Sequence, residues 1–256
     1  MAGLIILIIA MAIGAFIYYD HKGRTLKYKA PDTTSQLLED NVSFYQNLQL
    51  QDKLAFETRV KDFIEHTSIR GIDVEIEDLD RILVAASAII LIFPFPDWKY
   101  NNISEVLLYK GTFSKNFETE GEGRNVLGMV GDGALHHEML LSKPSLRSSF
   151  NNPTDGRNTA IHEFAHLLDK ADGATDGIPE YLLTRPEVLP WASQIHKTIQ
   201  HMRATSHSDI DSYGATNDAE FFAVISEYFF EKPDKLKEHH PELYSMLEKM
   251  FNRGSG

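Results

Sequence analysis

The run Thr159–Asp169, which reads TAIHEFAHLLD, restricts the fold more than any other segment of the chain. Residues four apart lie on the same side of a helix, so His162 and His166 would direct their imidazoles to one place with Glu163 beside them. Two imidazoles at this spacing can bind one zinc ion, and the carboxylate can take a proton from water that attacks a carbonyl. The spacing therefore predicts a helix that holds zinc for amide hydrolysis.

The residues around this motif are those expected of a helix. Asn158 or Thr159 can cap its N-terminus, and Gly173 follows its C-terminal end. The apolar residues of the run fall on one side, which a domain core can cover. A short motif of this kind also occurs by chance on half-buried structural helices, so the zinc hypothesis depends on a third ligand.

Two carboxylates close to the motif are candidates for this third ligand. In the extended pattern HExxHxxGxxH a glycine and a final histidine follow, but this chain has Asp169 and Asp172 at those positions. The long pattern is therefore disfavoured, although Asp172 can still provide an oxygen ligand. Glu180 comes after Pro179, which favours a loop carboxylate. Asp169 either accepts a hydrogen bond from a ligand histidine or lies exposed on the last turn.

Glu220 is a stronger candidate for the third ligand. It lies in the segment Asn217–Phe230, which reads as a helix with apolar residues over most of its surface. A carboxylate that is buried with such a helix needs a metal or a cation as a partner. Glu227 lies on the same face, in a supporting or structural role. The alternative is a capping box, in which Asn217 caps the helix and Glu220 reaches back to it.

Three features resemble the Mlc titration factor A family of zinc peptidases, namely the motif HEFAHLLD, the pair Tyr213 and Glu220, and the string AEFFAVISEYFF. This family is aminopeptidase-like, and its site is similar to that of the peptidase domain of anthrax lethal factor. The resemblance extends from about Phe44 to about Leu247. It implies a zincin-like metallopeptidase fold, a peptide or protein substrate, and a transcription regulator as a partner.

The resemblance also implies a role for each residue of the site. His162, His166 and Glu220 would bind zinc, with Glu163 as the general base. Tyr213 stands seven residues before Glu220, where the family has a tyrosine that faces the metal. A phenol at this place can donate a hydrogen bond to the oxyanion of the tetrahedral intermediate. A tyrosine packed in a loop is the alternative.

The pattern of apolar residues predicts one α+β domain over residues 33–256, mainly helical, with a small mixed sheet beside the HExxH helix. Apolar residues at helical spacing over residues 33–66 predict two amphipathic helices, and the run Ile82–Phe93 predicts a buried helix. Gly133–Ser142 reads as a strand bounded by glycine and proline. The resemblance to zinc peptidases implies that it is an edge strand beside the zinc helix, where an extended peptide can add to it.

The N-terminus has the composition of a membrane anchor. Residues 1–19 contain no charged side chain and can span a bilayer at the short end of the usual range. The lack of a basic n-region and the aromatic end of the run favour an uncleaved transmembrane helix over a signal peptide. Residues 20–32 read as a basic linker, so the positive-inside rule predicts a single-pass protein of the cell membrane with a cytoplasmic catalytic domain.

Composition argues against several other classes of protein. The formal net charge is −12 and no basic stripe is present, which argues against nucleic-acid binding. Cysteine is absent, which rules out a disulfide framework and a thiolate metal site. The features together predict a zinc-dependent, aminopeptidase-like peptidase. The alternative is a membrane-tethered regulatory protein that sequesters a transcription factor or another partner with little turnover.

Overall fold

The computed structural model describes residues 28–112, 127–130, 137–152, 155–205 and 208–252. The predicted anchor, residues 1–19, and most of the predicted linker lie outside these ranges. Within them, none of the helices combines the length and apolarity that crossing a bilayer would require.

The end of the predicted linker contacts the domain. The hydroxyl of Tyr28 donates a hydrogen bond to Asp78, and the guanidinium of Arg81 lies 4.2 Å from the centre of the Tyr28 ring. Ala30 is buried in the core. Tyr28 and Ala30 therefore lie against the domain, with Tyr28 at the start of the helix Asp78–Ile92.

The N-terminal part of the domain is helical, with α1 (Thr34–Asn41), α2 (Ser43–Gln46), α3 (Leu50–His66) and α4 (Asp78–Ile92). Three helices replace the predicted two between residues 33 and 66, because the backbone is extended at Val42 and at Gln49. Helix α4 confirms the predicted buried helix, since every residue from Ile82 to Ile92 is buried.

The sheet has four strands, β1 (Ser68–Ile72), β2 (Glu105–Tyr109), β3 (Gly128–Val130) and β4 (Glu138–Ser142), in the order β1-β2-β4-β3. Strands β1, β2 and β4 are parallel, whereas β3 runs antiparallel to β4. Val106 and Met139 face the main core, while Leu140 and Met129 belong to a smaller apolar cluster on the opposite face. The alternation of the strands thus places one face of the sheet against the helices.

The position of the edge strand differs from the prediction. Strand β4 has β2 on one side and β3 on the other, so the predicted strand Gly133–Ser142 is not the edge in the part that is described. Residues 133–136 of the predicted strand lie outside the described ranges. The strand next to the HExxH helix at the edge is the short β3. A run of apolar residues predicts a strand but not its neighbours in the sheet.

The rest of the domain is formed by helices α5 (Lys143–Asn151), α6 (Thr159–Asp169), α7 (Arg185–Ala204), α8 (Asp218–Glu231), α9 (Pro233–His239) and α10 (Pro241–Phe251), with two 3-10 turns, Lys170–Asp172 and Ser212–Ala215. Helix α8 is buried from Phe221 to Phe229 and packs against α6. The predicted α+β architecture, mainly helical with a small mixed sheet, is confirmed.

Candidate metal centre

Helix α6 carries the HExxH motif and is fixed at both ends. The side chain of Asn158 caps its N-terminus by accepting a hydrogen bond from the backbone N–H of Ile161 at 3.1 Å. After the helix and the following 3-10 turn, Gly173 adopts a left-handed conformation with φ 103°, which ends the helical path. Phe164 and Leu168 are buried in the core, so the opposite side with the histidines faces outward.

Three side chains converge beside α6. Nε2 of His162 lies 3.1 Å from Oε2 of Glu220 and 3.2 Å from Nε2 of His166. Nε2 of His166 lies 3.3 Å from the same Glu220 oxygen. A tetrahedral ion with bonds of about 2.0–2.1 Å has donor atoms about 3.3–3.4 Å apart, so the three distances already approach the edges of such a tetrahedron.

The same three residues form the one group in the described ranges whose histidine, aspartate or glutamate donor atoms could hold a metal ion together. The two neighbouring candidates lie elsewhere. The carboxylate of Asp172 accepts hydrogen bonds from the backbone N–H groups of Ala174 and Glu180, and the Glu180 side chain is exposed. Of the three carboxylates considered as a third ligand, only Glu220 is placed beside both histidines.

The position of Glu220 follows from the way α8 begins. Asn217 caps the helix by accepting a hydrogen bond from the backbone N–H of Glu220 at 2.9 Å. The Glu220 side chain does not complete the capping box, because its carboxylate lies against His162 and His166. Burial acts to raise the pKa of Glu220, but the hydrogen bonds with the two histidines hold that pKa well below its usual range.

Glu227 lies behind His162, two turns further along α8. Its Oε1 is 2.7 Å from Nδ1 of His162, and its Oε2 accepts a hydrogen bond from the backbone N–H of Asn158. Burial acts to lower the pKa of His162, but hydrogen bonds with Glu220 and Glu227 raise it to about 10. In the metal-free protein a proton on this imidazole therefore competes with a metal ion.

His166 and Asp169 are close in sequence but are not joined by a hydrogen bond. Among the described residues, Nδ1 of His166 and Oδ1 of Asp169 have no partner. Asp169 is fully buried rather than exposed, and its Oδ2 accepts a hydrogen bond from the backbone N–H of Gly177 at 2.9 Å. Burial raises the pKa of Asp169 to about 6.

Gly177 connects the two helices that carry the convergent side chains. Its backbone has φ 76°, and a Cβ atom added to it would lie 2.3 Å from the carbonyl oxygen of Asp218. Its own carbonyl accepts a hydrogen bond from the indole of Trp191 at 2.8 Å. Because it also bonds to Asp169, this residue fixes the end of α6 against the start of α8.

Glu163 lies on the side of α6 that faces the sheet. Its side chain is buried, with 6% of the residue exposed, and burial raises the pKa of its carboxyl group. Gly128 of strand β3 is in direct contact with it, since a Cβ atom added there would lie 2.7 Å from Cγ and Oε1 of Glu163. A carboxylate with a raised pKa beside three convergent donors suits proton transfer at neutral pH.

Tyr213 lies in the 3-10 turn before α8, above the convergent side chains. Its ring centre is 5.9 Å from that of His162, and its hydroxyl donates a hydrogen bond to Oε1 of Glu220 at 3.3 Å. The residue is 54% exposed, so it is not the packed loop tyrosine of the alternative interpretation. Asp211 holds the turn by accepting a hydrogen bond from the backbone N–H of Tyr213.

Two features of the site were not predicted from the sequence. The contact between Gly128 and Glu163 joins a strand and a helix that are far apart in the chain, and no local pattern indicates it. The hydrogen bond from the backbone N–H of Asn158 to Glu227 also joins distant segments, so no local pattern indicates it. Asn158 could be recognised only as a helix cap.

The chain is similar to known proteins over most of its length. The model of the family described as glucose-regulated metallo-peptidase M90 matches residues 19–252. An uncharacterized protein of Synechocystis sp. is 30% identical over 265 residues, which cover 96% of this chain and 95% of that protein.

Several relatives bear the name Mlc titration factor A. The protein from Escherichia fergusonii is 31% identical over 195 residues, which cover 69% of this chain and 70% of the relative. The protein from Pectobacterium atrosepticum is 29% identical over 164 residues, which cover 58% of this chain and 59% of the relative.

Proposed function

Because the chain belongs to the glucose-regulated metallo-peptidase M90 family, we propose that it is a zinc-dependent peptidase with the convergent side chains of α6 and α8 as its active site. His162, His166 and Glu220 would hold the metal, and Glu163 would be the general base. The observation that carries this proposal is the spacing of 3.1–3.3 Å between the three donor atoms.

The chemistry of the donors favours zinc. Two imidazole nitrogens and one carboxylate oxygen are the ligands of many catalytic zinc sites, which keep the fourth position open. The set contains no thiolate, and it is not an all-oxygen site of the kind that calcium or magnesium prefers. When bound, zinc would polarise the substrate carbonyl and lower the pKa of water.

Glu163 would handle the proton during hydrolysis. Its carboxylate would accept a proton from the attacking water and later deliver it to the leaving amine. Burial raises the pKa of Glu163, which brings its proton affinity closer to the neutral pH at which both transfers must occur. The buried position next to Gly128 also keeps the carboxylate on the side of the helix that faces the sheet.

Tyr213 would stabilise the oxyanion that forms on the substrate carbonyl. Its hydroxyl donates to Glu220 in the free protein, and its half-exposed ring leaves room for the hydroxyl to turn toward a substrate. A donor aimed at a developing oxyanion contributes more in the transition state than in the ground state.

Strand β3 would bind the substrate through main-chain hydrogen bonds. It pairs with β4 on one side, and among the described strands no other strand pairs with it. An extended peptide can add to such an edge, which brings a peptide bond close to Glu163. An aminopeptidase-like action is the form of the activity that we propose, on the resemblance of the two site motifs.

A second function is suggested by the relatives named Mlc titration factor A, whose name refers to titration of Mlc. This chain would then bind a transcription regulator, with or without cleaving it. We further propose that residues 1–19 anchor the protein in the cell membrane. The peptidase domain would lie on the cytoplasmic side, because the lysine and arginine residues follow the apolar run and none precedes it.

Parallel measurement of bound zinc and of peptide hydrolysis tests the peptidase proposal. The purified protein should contain one zinc per chain and cleave unblocked peptides faster than N-acetylated ones. Glu163→Gln should keep the zinc and lose about 10²–10⁴-fold in kcat, whereas Glu180→Gln, at an exposed carboxylate, should behave as wild type. A Glu163→Gln protein that cleaves as fast as wild type would exclude this mechanism.

A further inference from the structure

We propose that Gly128 is a positioning residue for the general base, because its lack of a side chain lets strand β3 hold the Glu163 carboxylate in place. The inference rests on the proposed peptidase function and adds a residue to it. Gly128 lies in β3 and Glu163 in α6, so the contact is formed only in the folded domain.

The contact is closer than any other residue type would allow. A Cβ atom at position 128 would lie 2.7 Å from both Cγ and Oε1 of Glu163, and 2.9 Å from Cγ2 of Thr159. Carbon atoms in good contact are about 3.5–4.0 Å apart, so a methyl group here would overlap the Glu163 side chain. In wild type a hydrogen atom takes the place of that methyl group, and the Glu163 carboxylate packs directly against it.

Packing is what orients this carboxylate. The Glu163 side chain is buried, and strand β3 lies directly against it at Gly128. Thr159 lies one turn before Glu163 on the same side of α6, so β3 rests on both residues. A side chain held by contact is displaced when the contact surface moves.

The backbone of Gly128 also faces the place where a substrate would bind. The backbone N–H of Ser142 donates to the carbonyl oxygen of Leu127 at 2.8 Å, so these two residues form a hydrogen-bonded pair between β4 and β3. Hydrogen-bonded and non-hydrogen-bonded pairs alternate along an antiparallel ladder, and Gly128 opposite Leu141 is therefore of the second kind. Its N–H and C=O point away from β4, toward the side on which none of the described strands pairs with β3.

Gly128 thus joins the two parts of the reaction. Its main chain would pair with the extended substrate, and its α-carbon lies against the group that moves the proton. One residue would then set the distance between the bound peptide and the Glu163 carboxylate. A displacement of about 1 Å can cost about 10²-fold in rate.

The substitution Gly128→Ala tests this role. We expect kcat to fall about 10–100-fold while KM changes less than about threefold and the zinc content stays at one per chain, because the added methyl displaces the base and not the ligands. Gly111→Ala is the matched control, since an added Cβ there meets no described atom within 4 Å. Gly128→Ala with the kcat of wild type would overturn the proposal.

A double-mutant cycle separates an effect through Glu163 from a general loosening of the strand. In the Glu163→Gln background, Gly128→Ala should lower the residual rate no further, because the group that it displaces is already inactive. An equal loss in both backgrounds would overturn the proposal. The control Gly111→Ala should leave the rate within about threefold of its parent in both backgrounds.

Further substitutions test whether a folding defect of Gly128→Ala comes from the same contact. If Gly128→Ala is insoluble, Glu163→Ala together with Thr159→Ser removes all three overlapping atoms and should restore soluble protein that binds zinc. Failure to restore it would show that another contact is responsible and would overturn the proposal. A wild-type protein without peptidase activity would instead refute the proposed function, and the role of Gly128 would be refuted with it.

Discussion

Oε1 of Glu227 lies 2.7 Å from Nδ1 of His162, on the side of the imidazole that faces away from Glu220. The carboxylate fixes which nitrogen carries the proton, because Nδ1–H donates to Glu227 and leaves the lone pair of Nε2 for a metal. The other oxygen of Glu227, Oε2, accepts a hydrogen bond from the backbone N–H of Asn158. One carboxylate therefore orients both the histidine and the start of its helix.

Removing the charge of Glu227 should weaken metal binding. Glu227→Gln is expected to lower zinc affinity about 10–100-fold, because the imidazole loses its negatively charged acceptor. Titration with a zinc chelator measures this effect. Glu238→Gln is the control, since Glu238 is an exposed carboxylate on α9. Equal affinities of the Glu227→Gln and wild-type proteins would contradict the prediction.

Removing the third ligand should abolish stoichiometric zinc. Glu220→Ala is expected to purify without zinc, because two imidazoles alone bind the ion weakly and keep too many positions open. Asp172→Ala and Glu180→Ala should keep one zinc per chain, as measured by atomic emission. A Glu220→Ala protein with full zinc, together with loss of zinc in either of the others, would move the site.

The hydroxyl of Tyr213 should matter for kcat and not for the metal. Tyr213→Phe is expected to lower kcat about 10²-fold with little change in KM or zinc content, because the phenol would act on the oxyanion. Tyr181→Phe changes another exposed tyrosine and should have no effect on kcat. A Tyr213→Phe enzyme with unchanged kcat would leave this residue without a catalytic role.

The free energy of unfolding should fall in acid because Asp209 becomes protonated. Burial acts to raise the pKa of Asp209, but hydrogen bonds from Tyr228 and His240 hold it well below the usual 3.8. A carboxyl group whose pKa is lowered by folding stabilises the protein above about pH 4, and this contribution is lost as the pH falls below that value.

Asp209→Asn tests that dependence. The substitution is expected to lower the free energy of unfolding by about 1–3 kcal/mol at pH 7 and to flatten its decline below pH 4, because the charged acceptor is gone. Denaturant unfolding between pH 3 and pH 8 measures both effects. Asp234→Asn, at an exposed position of α9, should keep the wild-type profile. An unchanged slope in acid for Asp209→Asn would be inconsistent with this assignment.

The apolar run at the N-terminus should anchor the full chain. After alkaline extraction of cells, the wild-type protein is expected in the membrane pellet, because residues 1–19 carry no charge. Ile6→Lys together with Ile9→Lys should shift it to the supernatant, since each charge costs about 3 kcal/mol at the centre of a span. Recovery of the wild-type protein in the supernatant would exclude the anchor.

Local patterns predicted the elements, whereas contacts between distant segments needed the structure. The helix α6, its cap Asn158 and the buried helix α4 follow from periodicity and capping residues. Glu220 could be ranked first because a carboxylate on so apolar a helix needs a partner. The place of β3 at the sheet edge and its contact with Glu163 depend on strand order and on register, which no single segment encodes.

His162 and Glu220 are separated by 58 positions in the chain, yet they lie within 3.1 Å of each other. An ion bound between them would release its binding free energy only when α6 and α8 are docked, so that energy would count toward the stability of the folded domain. The temperature at which the protein releases metal would then report the separation of the two helices. Apo and metal-loaded protein should differ in thermal stability by an amount that depends on free metal concentration.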